Sequence, residues 1–345
     1  MVRPWMEHVD RFCHQYLQLQ PQLDYPPDET LRLAEAQDAI YNRLFAQHVL
    51  PEGPPDRFRA KTLKELVPRI EAAIDDWDEH AVSDQLMAAL CALLGAPLPT
   101  EAVSAQERCR VRHHLSSLRR HDDTERWDEP AVMLMESPWL ISAAGTTGLR
   151  TWEAALHLGQ YLCLHRDMVA GKRVLELGAG TGYVSILCAK HLSCAHAVAS
   201  DGSEEVVSKL ADNFALNHVD PSRLTAMKLQ WGGEADEEDD DEVQAAGSCD
   251  VVLAADVIYD KRAVPALVAT ISRLLEARAG TEAFMSATRR NERTLEAFTD
   301  ACHRSGVDVE HIGFPVTPRT QQRGPFYSDR VAIGLYRLSR RPRAS

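Results

Sequence analysis

The spacing of apolar positions changes once along the chain, and the change divides it. In the first third the apolar residues recur at steps of three and four. Trp5, Val9, Phe12, Tyr16 and Leu19 lie on one face of a helix, which Pro21, Pro26 and Pro27 end. Leu31 to Leu50 repeats the pattern until Pro51 and the Gly53-Pro54-Pro55 breaker. Leu63 to Ile74 is a third such segment. Ser83 is placed to N-cap a fourth, which runs to Leu94 and stops at Gly95 and Pro97. Residues 1 to about 130 therefore read as helices joined by polar loops. A glycine-containing turn, Gly145-Thr-Thr-Gly-Leu-Arg-Thr-Trp152, then leads into an amphipathic helix from Glu153 to about Leu164, with Thr151 as a candidate N-cap.

From Arg173 onward short apolar runs alternate with helical patterns. Strands are expected at Val174–Leu177, Ala197–Ser200, Leu224–Gln230, Asp250–Ala255, Ala283–Ala287, Val307–Ile312 and Arg330–Leu338, seven in all. Helices are expected at Glu204–Asn217, Arg262–Ala277 and Glu292–Ser305, and an apolar helix-like run from Val184 to Leu192 follows the first strand. The fourth strand is almost wholly apolar, as a strand covered on both faces should be. Alternation of this kind makes an α/β fold: a sheet largely of parallel strands, covered by helices on both faces.

Ligands of such sheets sit beyond the carboxyl ends of the strands. Strand one ends in Gly178-Ala-Gly-Thr-Gly182 with Glu176 inside the strand. The glycines let backbone approach a ligand where a Cβ would collide. A dinucleotide turn has the spacing G-x-G-x-x-G and sets a pyrophosphate on the helix N-terminus. Here the spacing is G-x-G-x-G, and the Glu176 carboxylate would repel a pyrophosphate and welcome an ammonium. That favours S-adenosylmethionine over NAD. Strand two ends in Asp201, about twenty residues beyond the glycines and suited to a ribose diol; a helix N-cap is its plainer role. Strand three leads to Trp231, able to cover an adenine face or to fill a core. Strand four ends in Ala255-Asp256-Val257-Ile258-Tyr259. Trp152, between a glycine turn and the first strand, faces a ligand or the core.

Charge and composition narrow the classes. The chain has 345 residues and a formal net charge of −13. It is long enough for one large or two smaller domains. The charge disfavours a general nucleic-acid or membrane-surface binder. Eight cysteines with no C-x-x-C pair suggest reduced thiols in the cytosol or nucleus rather than a disulfide or zinc framework. No metal spacing is present, and His113-His114 reads as surface or internally satisfied histidines. The first twenty residues carry no signal-peptide pattern, and Leu86–Leu98 is too short to span a bilayer. Glu234–Glu242 holds eight acids in nine positions. It reads as a solvated loop, with an acidic rim for a basic substrate segment as the alternative.

Val174-Leu-Glu-Leu-Gly-Ala-Gly-Thr-Gly182 and Asp256-Val-Ile-Tyr259 resemble the motifs of the seven-stranded S-adenosylmethionine methyltransferases, and more narrowly the family 16 protein-lysine methyltransferases. Gly145–Trp152, Ala254–Tyr259, Thr288-Arg-Arg-Asn291 and the helical extension are similar to the members that act on eukaryotic elongation factor 2. The resemblance covers about residues 140 to 340. It implies a seven-stranded Rossmann-like class I methyltransferase sheet over 137–345 with a helical accessory domain over 1–136. It implies S-adenosyl-L-methionine contacts at Trp152, Glu176, Gly178, Ala179, Gly180, Asp201, Trp231 and Ala255, and catalytic or substrate-lysine contacts at Asp256 and Tyr259. It further implies a protein substrate, translation elongation factor 2, and a cytoplasmic monomer. The paired-Glu loop of arginine methyltransferases and the Pro-Pro-aromatic motif of many DNA and RNA amino-methylating enzymes are missing. A methyltransferase of another protein or of a small molecule, and a non-catalytic binding protein on the same fold, are the competing readings.

Overall fold

The computed structural model describes residues 4–46, 52–100, 103, 106–119, 129–140, 147–232, 248–290 and 292–341. The chain divides into two compact units, residues 1–140 with 323–326, and residues 141–322 with 327–345.

In the first unit, α1 (Pro4–Leu17), α2 (Asp28–Leu31), α3 (Ala34–Leu44), α4 (Asp56–Ala73) and α5 (Asp84–Gly95) pack around one core. Phe12, Tyr16, Ile40, Leu63, Leu66 and Ile70 are fully buried there. The helix expected over Leu31–Leu50 is instead two, α2 and α3, and its last residues lie outside the described ones. Ser83 stands at the N-cap of α5, but its side chain makes no capping bond. The unit is not all helical. Cys109–His114 (β1) and Ala131–Glu136 (β2) form an antiparallel pair. Alternation in β1 buries Cys109, Val111 and His113.

His113 and His114 are both buried. His113 Nε2 lies 2.9 Å from Glu136 Oε1, and the His114 ring stacks on His14 with centroids 3.6 Å apart. Glu129 Oε2 is 3.3 Å from His14 Nε2, and Glu129 Oε1 is 3.0 Å from Arg119 Nη1. Two imidazoles sharing one tetrahedral metal aim their nitrogens at a common point and splay apart, so rings lying face to face read as packing. Burial holds His14 and His114 well below the ordinary histidine pKa, so both are neutral. Residues 323–326 complete this unit. Gln18 Nε2 donates to Phe326 O at 2.6 Å, the Phe326 N–H donates to Gln18 Oε1 at 2.8 Å, and the Ser116 hydroxyl donates to Gly324 O.

The second unit is built on seven strands: β3 (Arg173–Leu177), β4 (His196–Asp201), β5 (Leu224–Lys228), β6 (Val251–Ala255), β7 (Glu282–Thr288), β8 (Val307–Ile312) and β9 (Ile333–Arg340). Their order is β5-β4-β3-β6-β7-β9-β8. The first five run parallel, and β9 pairs antiparallel with both β7 and β8. The helices are α6 (Glu153–Leu164), α7 (Tyr183–His191), α8 (Glu204–Leu216), α9 (Val264–Ala277) and α10 (Glu292–Arg304). Val252, Ala254 and Met285 share a core with Leu267, Ile271 and Leu274 of α9. Ser286, the next residue along β7, points the other way and meets His157 of α6, Oγ to Nδ1 at 3.2 Å. Alternation along the strand thus sets α9 and α6 on opposite faces. Thr151 is not the N-cap of α6. That position belongs to Trp152, and the Thr151 hydroxyl pairs instead with Thr181 at 2.7 Å.

Among the described residues no helix is long and apolar enough to cross a membrane. All eight cysteines are free thiols, seven of them buried.

Candidate active site

The strand order reverses between β3 and β6, where the chain, having added β4 and β5 on one side, returns to build the other. That is the topological switch point of an open α/β sheet, the place where a crevice forms. A cavity of about 790 Å3 lies there, at the carboxyl ends of the parallel strands. Small-molecule sites span roughly 300–1,000 Å3. All ten residues singled out in the sequence line it.

After β3, the chain turns through glycines. Gly178 has φ +67°, and a Cβ on it would come within 2.9 Å of Val257 Cγ1 and 3.4 Å of Trp231. A Cβ on Gly180, φ +52°, would press on the Gly148 Cα at 3.4 Å. Gly178 therefore needs to be glycine for backbone conformation and for space, and Gly180 for backbone conformation. Ala179 lies between them on the cavity wall.

Glu176 faces the cavity but is already engaged. Its Oε2 accepts from the Ser185 N–H at 2.8 Å and from the Ser185 hydroxyl at 2.5 Å. The carboxylate thus holds the first turn of α7, whose amide hydrogens have no partner within the helix. Burial pushes the Glu176 pKa up to about 7, against the two Ser185 donors that pull it down.

Asp201 ends β4. Its Oδ2 accepts from the Gly180 N–H at 3.1 Å and its Oδ1 from the Ser203 N–H at 3.0 Å. The Gly202 N–H is a third donor to this carboxylate, which leaves one of its roughly four lone-pair sites for a ligand hydroxyl. Burial raises its pKa above the ordinary aspartate value. Trp231, beyond β5, lines the cavity beside Gly178. Its indole N–H is buried and has no hydrogen-bond partner among the described residues.

Asp256 follows β6 with φ +54°, a left-handed conformation that aspartate tolerates better than most residues. Its N–H donates to Ser286 O at 2.9 Å. The carboxylate is gripped by Thr288 at the end of β7: the N–H donates to Oδ1 and the hydroxyl to Oδ2, each at 2.8 Å. Burial raises the Asp256 pKa, while Thr288 and Arg290 work the other way. Ala255 lines the cavity beside it. Tyr259 stands at the rim, 71 % exposed.

Trp152 closes the remaining side. Its Nε1 donates to Thr147 O at 3.0 Å. Arg150 and Arg290 stack on its ring at 4.3 and 5.1 Å, and Glu153 lies within 3.7 Å of both guanidiniums. Ser185, Thr288, Arg150 and Arg290 thus belong to the site without having been read as site residues. The acidic run 234–242 lies outside the described residues.

A seven-stranded sheet of this order, with a glycine turn after its first parallel strand and carboxylates at the ends of the next ones, is the Rossmann-like architecture of the methyltransferases. Comparison with known proteins makes the assignment narrower. The lysine methyltransferase family matches residues 141–304. A protein-lysine N-methyltransferase, EFM3 of Chaetomium thermophilum, is 48% identical over 341 residues, covering 99% of this chain and 100% of that protein. EFM3 of Saccharomyces cerevisiae is 35% identical over 53% of this chain and 56% of its own length. The human protein-lysine N-methyltransferase EEF2KMT is 31% identical over 61% of this chain and 64% of its own length. The chain belongs to the family of protein-lysine N-methyltransferases, enzymes that transfer a methyl group to a lysine of a protein.

Proposed function

We propose that the cavity binds S-adenosyl-L-methionine and that the methylated protein is translation elongation factor 2. The observation that carries the cofactor reading is the convergence of Glu176, Asp201 and Trp231 on one wall around two obligate glycines. These residues fit the group part by part. Asp201 has acceptor capacity left for a ribose hydroxyl, and Trp231 offers a ring face and a buried N–H to the adenine side. Glu176 gives negative charge at the end where the amino-acid ammonium would lie. NAD fits less well, because a pyrophosphate would meet that same carboxylate. Similarity to EEF2KMT, together with the resemblance that Gly145–Trp152 and Ala254–Tyr259 carry, supports elongation factor 2 as the substrate.

When bound, the cofactor supplies a methyl group on a sulfonium. Held by Asp201, Trp231 and Glu176, it would give that methyl in line to a neutral lysine nitrogen, with S-adenosylhomocysteine as the co-product. The amine has to lose a proton first, since the ordinary lysine pKa is about 10.4. Asp256, at the end of β6, receives the incoming ammonium by charge and directs its lone pair once it is neutral. Tyr259 lies against the substrate side chain at the rim. The protein's contribution is placement and exclusion of water rather than covalent chemistry. Residues 1–136 are the accessory domain for the protein substrate, 137–345 the methyltransferase domain, and the enzyme acts in the cytoplasm as a monomer.

The test is direct. The purified chain is incubated with elongation factor 2 and methyl-labelled S-adenosylmethionine, and the product is mapped by mass spectrometry. Label on one lysine of elongation factor 2 is expected. Label on another protein in a lysate, with elongation factor 2 untouched, would overturn the substrate. Failure to bind S-adenosylmethionine in calorimetry would overturn the cofactor.

A further inference from the structure

Both oxygens of Asp256 are held by a single residue. Thr288 donates its backbone N–H to Oδ1 and its hydroxyl to Oδ2, each at 2.8 Å, so the carboxylate plane is pinned at two points. The backbone end is pinned as well. The Asp256 N–H extends the β6–β7 ladder to Ser286 O, and φ of +54° holds the residue out of the strand. A carboxylate free at the end of a strand would sample several χ1 and χ2 positions, and each would aim its remaining lone pairs elsewhere. Here one orientation is selected. Left-handed backbone at a non-glycine residue carries a conformational cost that the surroundings must sustain, and such positions cluster at functional sites. The Thr288 grip supplies that support.

We propose that Thr288 is a positioning residue for methyl transfer: its N–H and hydroxyl hold the Asp256 carboxylate in the orientation from which it receives the substrate amine. This rests on the reading of Asp256 as the group that meets the lysine. Thr288 lines the cavity too, but both of its donors are spent on Asp256. It acts through Asp256, and it acts on charge as well as direction. Two donors favour the ionised carboxylate against the burial that opposes it. The other charged groups that bear on Asp256 are Arg290, from the segment after β7, which also favours ionisation, and Glu153 of α6, which opposes it.

Thr288→Val keeps the branched Cβ and the N–H but removes the hydroxyl donor. Thr288→Ser keeps the donor. In the full chain with its protein substrate, Thr288→Val should lower kcat about tenfold or more, the usual loss for a hydrogen bond to a charged group. Affinity for S-adenosylmethionine should stay near normal. The acid limb of the kcat/KM profile should move to higher pH in Thr288→Val, because the ionised carboxylate has lost a donor. Thr288→Ser should return both kcat and the acid limb. Unchanged kcat and acid limb in Thr288→Val, beside an inactive Asp256→Asn, would overturn the positioning role and leave Asp256 in place. Equal losses in both Thr288 variants, with a lower melting temperature and an unmoved acid limb, would overturn it in favour of a plain latch between strand ends. A fully active Asp256→Asn would overturn the reading beneath it.

Discussion

Each unit of the chain buries ionisable side chains, and the two sets are made of similar residues. In the first unit His14, His114 and Glu129 lie against one another and against Arg119. In the second, Glu176, Asp201 and Asp256 also have partners, but every one of them borders the same cavity. Buried polar groups are nearly always satisfied, so satisfaction alone does not separate the two. What separates them is the open side. The carboxylates of the second unit are held by backbone N–H groups and hydroxyls on one flank and face open space on the other. The first set is packed on all flanks by protein.

Substitutions can break or sharpen that contrast. The largest effect is expected at Asp256. Asp256→Asn keeps the shape and removes the charge, and should cut methylation of elongation factor 2 by about 10²-fold or more, the lower range for positioned acid–base groups. Affinity for S-adenosylmethionine should remain near normal. Near-wild-type turnover in a folded Asp256→Asn would end the proposed role. Next comes Asp201→Ala, which removes the acceptor of the ribose hydroxyls. One hydrogen bond to a charged group is worth roughly 1.5–3 kcal/mol, or about 10–150-fold in affinity. An unaltered dissociation constant by calorimetry would leave Asp201 as a support for Gly180 and Ser203 only.

Glu129→Gln should show the opposite signature. The protein should lose about 1–3 kcal/mol of stability in denaturant unfolding, as a buried polar cluster loses a charge. Binding of S-adenosylmethionine should not change. A stable Glu129→Gln with impaired cofactor binding would erase the distinction between the two sets.

The smallest net effect in the wild type is in the pH dependence of stability, where two buried groups of the second unit pull in opposite directions and largely cancel. Burial raises Glu176 from 4.5 to about 7. The folded state therefore keeps a proton that the unfolded state has lost, and stability falls as pH rises from about 4.5 to about 7. Burial lowers His157 from 6.5 to about 4. There the unfolded state holds the extra proton, and stability falls as pH drops from 6.5 to about 4. Each slope is at most about 1.4 kcal/mol per pH unit for one proton. In the wild type they oppose each other over the shared window. Glu176→Gln should leave stability falling toward acid, and His157→Gln should leave it falling toward neutral pH. Parallel profiles for the two variants, measured by thermal unfolding from pH 4 to 7, would contradict both assignments.

The sheet was legible in the sequence because a strand buried on both faces has to be apolar throughout, as Val251–Ala254 is. The cavity wall was legible for a related reason: ligands gather where strands end, so reading the residue after each strand finds Asp201, Trp231 and Asp256. The hairpin of the first unit was not. Cys-Arg-Val-Arg-His-His alternates as a strand should, but His113 and His114 look polar, and only burial, one on each face of the strand, beside Glu136 and Glu129 shows that both are covered. The supports were hidden for a different reason. Ser185 stands nine residues beyond Glu176, and Thr288 thirty-two beyond Asp256. Such pairings follow from sheet register and helix placement, which no local spacing announces.

The segment 323–326 carries a consequence for the order in which the protein is made. Gln18 holds Phe326 through two hydrogen bonds across 308 positions of chain. A ribosome adding about 5–20 residues per second needs roughly 15–60 s to travel from the first partner to the second. Once residue 140 is made, the remaining part of that time passes with the first unit lacking the piece that completes it. Residues 1–140 must wait, with the berth for Phe326 open, until the ribosome has passed residue 326. A chain cut short just before residue 323 would therefore bear its mark 308 positions upstream of Phe326, around Gln18.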